Sequence, residues 1–534
     1  MKFQIIFQTS RKVTIEFLDF GIYFTEKKYR LLLNGKEILT SDRVVQTISG
    51  LTPDTEYELT AVADGEAEET VRFKTDYEFV TLNVRRFGAR GDGKHDDTVA
   101  IQAAVSSCPE HGRVYIPKGV YKVSSIFLKS HMTLDIGEGA VISAYTEREK
   151  FPILPGLIES YDETDEYNLG TWEGNPLDMF GSILTGIHVS DVVITGEGTL
   201  DGNASYENWW KGEGREKIGG AFRPRMIFLN HCENVTVQGL TVQNSPAWNL
   251  HPYFSNHTRW IDLKVLNPKQ SPNTDGMDPE SVDGLEVVGV YFSLGDDCIA
   301  MKSGKFYMGH KYKVSSRNVD IRQCYMRHGH GAVTLGSEIA AGVRHLSCKK
   351  CIFEDTDRGL RVKTRRGRGE DSVVEDILFE DIKMDGVLTP FVVNSYYWCC
   401  DPDGHSTYVS TKEPLPVDER TPRIKELAFR NIEAHNCHVA GTFIYGLPEA
   451  KIEKVTMENI EIDFAENPTP EYPAMMAEVE PCTNRGVFIN NVKELTLKNV
   501  KVHGTAGEPF EIENVDCVEK DGLSEMLYQR RCRS

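Results

Sequence analysis

The sequence lacks any long hydrophobic run, and this absence bears on its relation to membranes. No uninterrupted apolar stretch in its 534 residues approaches the roughly 18 residues that a membrane-spanning helix needs. The N-terminal stretch MKFQIIFQTS is interrupted by Gln4 and Gln8 and has no small-residue cleavage site after it, so it predicts a first β-strand and not a secretion signal. We therefore expect no membrane partner and a cytoplasmic location.

Cysteine is sparse as well, with 12 residues in the whole chain. That density is too low for a disulfide scaffold. Cys348 and Cys351 form the tightest pair, and no second Cys/His pair follows at zinc spacing. The cysteines are therefore predicted to be mostly buried, reduced thiols, and neither a metal nor another cofactor is expected.

Basic residues are too few to balance the acidic ones, since 60 Lys and Arg stand against 80 Asp and Glu and leave a net charge of −20. This balance argues against a nucleic-acid partner, because a general nucleic-acid binder needs a basic face to displace counterions. It also argues against an acidic substrate unless cations are concentrated locally. One such concentration exists, because six Arg and Lys residues fall within 358–368.

Residues 1 to about 76 predict a small β-sandwich. Alternating apolar runs at 13–17, 29–33 and 71–73 are separated by turn residues such as Asn34-Gly35. The stretch 51–57 (LTPDTEY) resembles the corner motif of fibronectin type III domains, in which a Leu packs inward and a Tyr hydroxyl holds a loop. No catalytic constellation is found in this region.

An internal repeat dominates the rest of the chain, 81–534. Before the repeat, a helix is predicted to begin at Thr98, because the residues there are typical of a helix N-terminus and precede an Ala-rich run. The repeat unit is apolar-x-apolar-x-(Asn/Gly/Asp)-apolar-x-apolar, so each half predicts a short strand and the middle residue a bend. Copies occupy 235–242, 285–292, 319–326, 377–384, 427–434, 455–462 and 495–502. This spacing predicts an all-β parallel β-helix, because a β-propeller would need four strands in each blade.

Residues with acidic, basic or imidazole side chains recur at comparable positions in successive repeats. Coils about 4.8 Å apart would stack these residues into one vertical strip. Three Asp, one His, one Arg and one Lys on a strip suit glycosidic hydrolysis, which needs one carboxyl that stays protonated and a carboxylate that activates water. Crowding also predicts that at least one carboxyl has a raised pKa. The groups are Asn273-Thr274-Asp275, Gly295-Asp296-Asp297, Gly329-His330-Gly331 and Arg361-Val362-Lys363.

These four groups, in this order, resemble the signature of glycoside hydrolase family 28, the polygalacturonases, with Val362 as the only departure. The resemblance covers about 81 to 510 and implies a right-handed β-helix. It also implies hydrolysis of α-1,4 bonds in galacturonate-containing oligosaccharides or polysaccharides, with inversion. Asp296 would be the proton donor, while Asp275 and Asp297 would hold the attacking water.

Other roles follow from the same resemblance. His330 would orient or tune the acid, and Arg361 and Lys363 would bind the substrate carboxylate. Asn273 is a further candidate for substrate binding. Independently of the resemblance, His251 is a candidate because it lies one repeat before Asp275, and either Tyr396 or Tyr397 is a candidate for a substrate contact.

Long non-repeating segments at 145–179, 209–210 and 394–400 could wall off one end of a groove. Together with the extra N-terminal region, they favour an enzyme that acts on chain ends, like bacterial exo-polygalacturonases. Alternatives on the same fold are an endo-polygalacturonase and a rhamnogalacturonan hydrolase, although the latter tends to lack the His and the Arg/Lys pair. Alternatives of another class are a Ca²⁺-dependent pectate lyase and a β-helix that only binds acidic glycans.

Overall fold

The structure is a computed structural model, and strands make up most of it. It describes residues 1–159, 166–211, 222–399, 405–522 and 529–532. Within these ranges no helix has the length and apolar character needed to cross a membrane. The helices are Thr98–Ser107, Phe306–Tyr312 and Thr407–Ser410, with 3-10 turns at Val84–Phe87 and Arg148–Lys150.

Two antiparallel sheets form the N-terminal β-sandwich. One sheet has the order β1-β2-β6, and the other has β3-β4-β7-β8 with β5 paired to β4. Val13, Ile15, Phe17, Leu31 and Leu59 are fully buried between them, as the alternation of apolar residues predicted. The strands are β1 (Phe3–Gln8), β2 (Lys12–Phe17), β3 (Gly21–Ile22), β4 (Phe24–Leu33), β5 (Lys36–Arg43), β6 (Val45–Ser49), β7 (Glu56–Val62) and β8 (Glu69–Lys74).

The corner motif has the predicted geometry. Leu51 is 4% exposed, and the backbone N–H of Thr52 donates to the Tyr57 hydroxyl at 3.0 Å. This bond ties the turn before β7 to the edge of the sheet.

Parallel strands then wind into a β-helix whose main sheet has 30 strands. The first half contains β9 (Val80–Asn83), β10 (Asp92–Asp96), β11 (Gly112–Ile116), β12 (Gly119–Val123), β13 (Ile126–Phe127), β14 (Met132–Ile136), β15 (Ala140–Ala144), β16 (Ile153–Leu154), β17 (Ile158–Glu159), β18 (Glu166–Tyr167), β19 (Thr171–Trp172), β20 (Asn175–Pro176), β21 (Met179–Phe180), β22 (Leu184–Ile187), β23 (Ser190–Gly196), β24 (Thr199–Asp201), β25 (Ile227–Asn230), β26 (Glu233–Gln238) and β27 (Thr241–Gln243). Strands β16 to β21 form three small antiparallel pairs in an insertion, and β13, β22, β25 and β28 form a separate parallel sheet.

The second half continues the same winding. It contains β28 (Leu250–Tyr253), β29 (Asn256–Ile261), β30 (Lys264–Leu266), β31 (Asp283–Val288), β32 (Tyr291–Leu294), β33 (Ile299–Met301), β34 (Ser316–Arg322), β35 (Tyr325–His328), β36 (Val333–Gly336), β37 (Val343–Lys349), β38 (Ile352–Glu354), β39 (Arg358–Lys363), β40 (Val373–Asp385), β41 (Thr389–Asn394), β42 (Arg423–Ile424), β43 (Glu426–Cys437), β44 (Ala440–Tyr445), β45 (Ile452–Phe464), β46 (Arg485–His503), β47 (Phe510–Asp521) and β48 (Gln529–Cys532). The predicted fold class, a parallel β-helix preceded by a β-sandwich, is confirmed.

The sequence repeats stack in register. The leading residue of each copy pairs with the leading residue of the next, from Leu285 to Val319 and onward to Leu495. The middle residue of each copy has a positive φ, as at Gly239, Asp381 and Asn431, which is the conformation that Gly, Asn and Asp tolerate best. The predicted bend is therefore a left-handed residue between two strands.

The coil at Thr258 is among those that escaped the sequence pattern. Thr258 on β29 pairs with Leu285 and occupies the leading position of a repeat. The pattern was missed because Thr replaces the apolar residue there, although its side chain is fully buried.

The cysteines are as predicted with one exception. Most of the free thiols in the described residues are buried, including Cys298, Cys324 and Cys348. Cys517, however, is disulfide-bonded. The prediction that the thiols are mostly reduced therefore does not hold at this position.

The sandwich is joined to the β-helix by a partly buried charge cluster. Arg322 on β34 donates to Glu16 on β2, with Nε at 2.9 Å from Oε1, and its Nη1 lies 2.8 Å from Glu286 Oε1. Glu16 is 4% exposed. Removing the guanidinium would therefore leave a buried carboxylate without its main partner, which is more costly than losing an exposed ion pair.

We predict that Arg322→Met lowers the free energy of unfolding by about 3 kcal/mol. The matched control is Arg317→Met on the same strand, whose ion pair with Asp283 has the arginine side chain 54% exposed and is worth at most about 1 kcal/mol. Denaturant unfolding followed by fluorescence measures both variants. Equal losses in the two variants would contradict the importance of this cluster.

Candidate active site

The backbone of successive coils brings the predicted motifs to one edge of the β-helix. The Gly276 N–H donates to the Asp297 carbonyl at 2.9 Å, and the Cys298 N–H donates to the Gly331 carbonyl at 2.8 Å. The Ala332 N–H in turn donates to the Arg358 carbonyl at 2.9 Å. Asp275, Asp297, Gly331 and β39 therefore follow one another from coil to coil, as the repeat spacing predicted.

Three carboxylates meet at this edge. One oxygen from each of Asp275, Asp296 and Asp297 lies within 4.8 Å of the others. Asp296 and Asp297 lie in the bend between β32 and β33, so the alternation of side chains in a strand does not force them to opposite faces.

Asp297 lies at the back of this group and is fully buried. Lys363 Nζ lies 2.8 Å from its Oδ2 and Arg361 Nη1 lies 3.3 Å from its Oδ1. Arg361 and Lys363 share a face of β39 because they are two residues apart on a strand. Burial alone would raise the pKa of Asp297, but the two cations outweigh it and lower that pKa below its usual range. Asp297 is therefore a fixed carboxylate.

The glycines around His330 are required by close packing. A Cβ on Gly329 would lie 2.3 Å from the Asp296 carbonyl oxygen. A Cβ on Gly331 would lie 2.4 Å from Thr334 Oγ1 and 2.8 Å from Asp297 Oδ1. Glycine at both positions lets the histidine loop approach the carboxylates.

His330 and Asp296 form the exposed part of the cluster. His330 Nδ1 lies 3.2 Å from Asp296 Oδ1, with the side chains 53% and 20% exposed. The contact with Asp296 raises the pKa of His330. For Asp296, burial favours the neutral form, but the bond from His330 outweighs it and lowers the pKa. The pair therefore holds its proton on the imidazole.

Among the three clustered carboxyl groups, Asp275 is the one whose pKa is raised. Its burial, together with the nearby carboxylates of Asp278 and Asp296, raises its pKa well above the ordinary value. The sequence predicted one raised pKa in the cluster, and the structure assigns it to Asp275. Asp278, fully buried behind it, also has a raised pKa because of burial, despite the opposing charges of Lys302 and Arg225.

A buried ion network under the site was only partly visible in the sequence. Lys302 Nζ lies 3.0 Å from Glu338 Oε2 and 3.5 Å from Asp278 Oδ1. Burial would raise the pKa of Glu338, but Lys302 and Arg368 outweigh it and hold it ionised. Glu338 follows β36 as Lys302 follows β33 one coil earlier. This correspondence is the sequence signal that could have identified Glu338.

A cavity of about 580 Å³ opens in front of these groups. On one side, Trp172 of the insertion stacks on Trp248 with ring centres 5.1 Å apart and planes at 14°, and Glu173 and Trp248 line the cavity. The Lys305 N–H donates to the Gly174 carbonyl at 3.0 Å, which fixes the insertion to the coil. The predicted wall at 145–179 therefore exists at Trp172 to Gly174, while Tyr161 lies outside the described residues.

The opposite wall is formed by Tyr397, Cys399 and Met475. The Arg358 guanidinium holds this side by donating to the Tyr472 carbonyl at 2.7 Å and to the Pro473 carbonyl at 3.2 Å. The segment 394–399 thus contributes to a wall as predicted, while Cys400 lies outside the described residues. Trp209 and Trp210, in contrast, belong to the buried core of the β-helix.

Two predicted substrate contacts are not supported by their positions. Within the described part of the chain, the cavity lining does not include His251 or Tyr396. His251 is fully buried with Nε2 at 3.2 Å from Glu280 Oε2, and Tyr396 is 1% exposed in an apolar cluster with Phe443. Alternation along the chain did not reveal which of two adjacent tyrosines, Tyr396 or Tyr397, points to the cavity.

Asn273 and the two predicted cations do reach the cavity. Asn273, Arg361 and Lys363 all line it, and Asn273 Oδ1 accepts from Arg223 Nη2 at 2.9 Å. The carboxylate triad could also hold a divalent cation, since its oxygens are close enough to ligate one. Asp297, however, is already compensated by Arg361 and Lys363, so less negative charge remains for a cation.

The fold and the site match known proteins. Residues 114–482 match the family model described as Glycosyl hydrolases family 28. A relative from Vitis vinifera named "Probable polygalacturonase" is 29% identical over 71% of this chain and 73% of its own length. A Zea mays "Exopolygalacturonase" is 23% identical over 76% of this chain and 90% of its own. The solved "Yersinia enterocolitica Family 28 Exopolygalacturonase" has a TM-score of 0.72 at 18% identity, covering 96% of this chain and 98% of that one, which shows a shared fold.

A parallel β-helix with a carboxylate cluster at one edge defines the structural class of this chain. The match over most of the β-helix identifies the member of that class: the chain belongs to family 28 of the glycosyl hydrolases.

We predict that the pKa of His330 lies above the usual histidine value of about 6.5 and falls when Asp296 is replaced by Asn, because the carboxylate stabilises the imidazolium. NMR titration of ring-labelled histidines measures it. His435, whose pKa is raised by Asp463, serves as an internal control that should not change. An unaltered His330 titration in Asp296→Asn would contradict the pairing.

Proposed function

We propose that this protein hydrolyses α-1,4 bonds between galacturonates, acting at the chain end and inverting the anomeric centre. The observation that carries the proposal is the combination of three carboxylates within 4.8 Å with Arg361 and Lys363 in the wall of one cavity. Carboxylates supply acid and base, and the cations match the carboxylate that each substrate sugar bears.

The proton for the leaving oxygen comes from the Asp296–His330 pair. Asp296 donates it as the glycosidic C–O bond breaks, and His330 resupplies Asp296 across their 3.2 Å contact. The lowered pKa of Asp296 is compatible with the donor role, because the proton of the pair is held on His330, whose pKa is raised. The pair is therefore a general acid that loses activity as pH rises through the pKa of His330.

The attacking water is held by Asp275 and Asp297. One oxygen from each carboxylate lies within 4.8 Å of the others, so a single water can lie within hydrogen-bond reach of Asp275 and Asp297. Asp275 must lose its proton before it accepts one from this water, and its raised pKa places that step at the acidic side of the pH profile. The fixed carboxylate of Asp297 orients the water.

In an inverting enzyme the acid and the attacking water act on opposite faces of the sugar ring. Asp296 is assigned to the side of the leaving oxygen, and Asp275 and Asp297 to the side of the water. Inversion is proposed on this basis and on the family resemblance, and the product anomer decides it.

Arg361 and Lys363 bind the carboxylate of the sugar at the cleavage site. Both already contact Asp297, and each carries more than one donor, so a second carboxylate can share them. This pair and His330 support a homogalacturonan substrate over rhamnogalacturonan.

Action at the chain end is supported by the two walls of the cavity. The walls at Trp172 to Gly174 and at Tyr472 to Met475 are both fixed by hydrogen bonds to the coils. A volume of about 580 Å³ lies in the range of small-ligand pockets, whereas an internal segment of a polymer needs a groove open at two ends. Relatives named exopolygalacturonase agree with this proposal.

We predict that polygalacturonate digestion releases a small product of constant size from the start, without a ladder of mid-length oligomers. The first anomer formed, followed by proton NMR, should be the β-anomer, because inversion converts the α-linkage. Chromatography of products over time measures the size. A ladder would establish endo action, and an initial α-anomer would contradict inversion.

The same digestion separates the alternatives of another class. A pectate lyase would form unsaturated products that absorb in the ultraviolet and would lose activity with a chelator. Hydrolysis by the Asp cluster should show neither effect. An absence of any product together with retained binding would favour a β-helix that only binds acidic glycans.

We predict that Asp296→Asn lowers kcat by about 10²–10⁴-fold, the usual contribution of general acid catalysis, with KM changed little. The wild-type profile should be bell-shaped, with the alkaline limb set by the His330 pair and the acidic limb by Asp275. Steady-state kinetics against pH measures both. The matched control is Asp283→Asn, which removes the charge of a carboxylate paired with Arg317 and should leave kcat unchanged. A loss of kcat below tenfold in Asp296→Asn would contradict the donor role.

A further inference from the structure

The N-terminal sandwich contacts the β-helix at the left-handed bends between its strands. The Thr47 hydroxyl on β6 donates to Asp262 Oδ2 at 2.7 Å. One coil further on, Arg43 Nη2 on β5 donates to the Gly289 carbonyl at 3.2 Å. A Cβ on Gly289 would lie 2.7 Å from the Val45 Cβ, so the sandwich leaves no room for a side chain at this bend. Hydrogen bonds and close packing therefore hold the sandwich on two consecutive bends.

The sandwich holds the next two bends as well. Gln323 is 1% exposed, and its Oε1 accepts from the Tyr23 N–H at 2.6 Å while its Nε2 donates to the Gly21 carbonyl at 3.4 Å. Lys350 Nζ donates to the Leu18 carbonyl at 2.7 Å. Gln323 and Lys350 both have a positive φ, which Gln and Lys tolerate less well than Gly or Asn does. The contacts with the sandwich thus stabilise bends that their own residue types do not favour.

These four bends belong to the coils that carry the candidate active site. Strands β29, β31, β34 and β37 pair in that order, and each of them ends at one of the bends. The strand after each bend leads to one of the site motifs, and the order is the same. Asp262 precedes Asn273–Asp275, Gly289 precedes Asp296–Asp297, Gln323 precedes His330, and Lys350 precedes Arg361 and Lys363.

Beyond Lys350 the bend residues bond to one another. Asn431 Nδ2 donates to Asp381 Oδ1, Asn459 Nδ2 to Asn431 Oδ1, and Asn499 Nδ2 to Asn459 Oδ1, each at 3.0 Å. The three asparagines are exposed and have a positive φ. A ladder of side-chain hydrogen bonds thus connects the later coils, whereas contacts with the sandwich take its place on the coils of the site.

The coils of the site need this support because they carry crowded like charges. One oxygen from each of Asp275, Asp296 and Asp297 lies within 4.8 Å of the others, and ionised carboxylates at this spacing repel one another. Within the described part of the chain, the cavity lining contains no residue of the sandwich. An effect of the sandwich on the carboxylates therefore passes through the coils.

We propose that the N-terminal sandwich is a positioning element, which holds the four coils of the site in register at their bends and so fixes the spacing of the carboxylates. Thr47 is the positioning residue for the coil of Asp275. Its hydroxyl also accepts from Gln238 Nε2 at 2.8 Å and so connects two adjacent coils. The kinetic consequence rests on the proposed function, whereas the register does not. The simpler interpretation is a sandwich that only adds stability.

The test removes the Thr47 hydroxyl in Thr47→Val of the full-length protein. The amides of 276–298 include the Gly276 and Cys298 N–H groups that bond between coils. They should exchange with deuterium about tenfold faster, which is the factor that one hydrogen bond is worth. On polygalacturonate, kcat should fall about threefold or more with KM changed little, since a misplacement of ~1 Å can cost about 10²-fold. Thr47→Ser, which keeps the hydroxyl, should restore both quantities. Hydrogen exchange by mass spectrometry and steady-state kinetics measure them.

Two control variants separate positioning from stability. Thr60→Val removes a hydroxyl that bonds to Thr70 within the sandwich and should change neither quantity. Asn459→Ala removes bonds of the asparagine ladder and should accelerate exchange at 455–462 while kcat stays unchanged. A smaller loss of kcat in Thr47→Val, or faster exchange spread evenly over the chain, would overturn the proposal. If the wild type cleaves nothing, the proposed function fails, but the exchange pattern still decides whether the sandwich holds the register.

Discussion

The in-register stacking of parallel coils is the constraint on which the rest of the structure depends. Each coil donates backbone hydrogen bonds to the next, so residues far apart in sequence lie about 4.8 Å apart along the axis. This repeat places Asp275, Asp297 and the glycine loop of His330 on consecutive coils. The same rigidity keeps like charges close together, which isolated loops would relieve by moving apart. The backbone of the scaffold therefore imposes the close spacing of the carboxylates, independently of any role in catalysis.

Crowding is tolerated because each carboxyl is compensated differently. Asp297 is compensated by Lys363 and Arg361, Asp296 by the imidazolium of His330, and Asp275 by a raised pKa that favours its neutral form. Three identical side chains thereby differ in how readily they ionise within a few ångströms. Hydrolysis needs such a difference, since an acid and a base must coexist at one pH. The ion network of Lys302 and Glu338 extends this balance below the cavity floor.

Much of this arrangement could be predicted from sequence because it follows from periodicity. The leading residues of the repeats, the left-handed bend at positions such as Asn431, and the tyrosine corner at Tyr57 each carry a local signal. Alternation separates inside from outside, yet it does not separate a packed interior from a cavity. That is why His251 and Tyr396 were proposed as ligands although both are buried, and why Glu338 was missed. The disulfide of Cys517 depends on which cysteines the fold brings together, which no local pattern encodes.

The net charge of −20 describes the whole chain and not the charge near the cavity. Most basic residues near the cavity already have partners within the protein. Arg358 donates hydrogen bonds to backbone carbonyls, Arg366 forms a salt bridge with Glu449, and Arg361 and Lys363 form salt bridges with Asp297. The local concentration at 358–368 therefore builds the walls and compensates the catalytic carboxylates more than it attracts a polyanion from a distance. With screening over about 8 Å at physiological salt, an acidic substrate responds to the few charges within that distance. A protein with an acidic net charge can thus offer an acidic ligand a cavity in which the nearby charges are balanced.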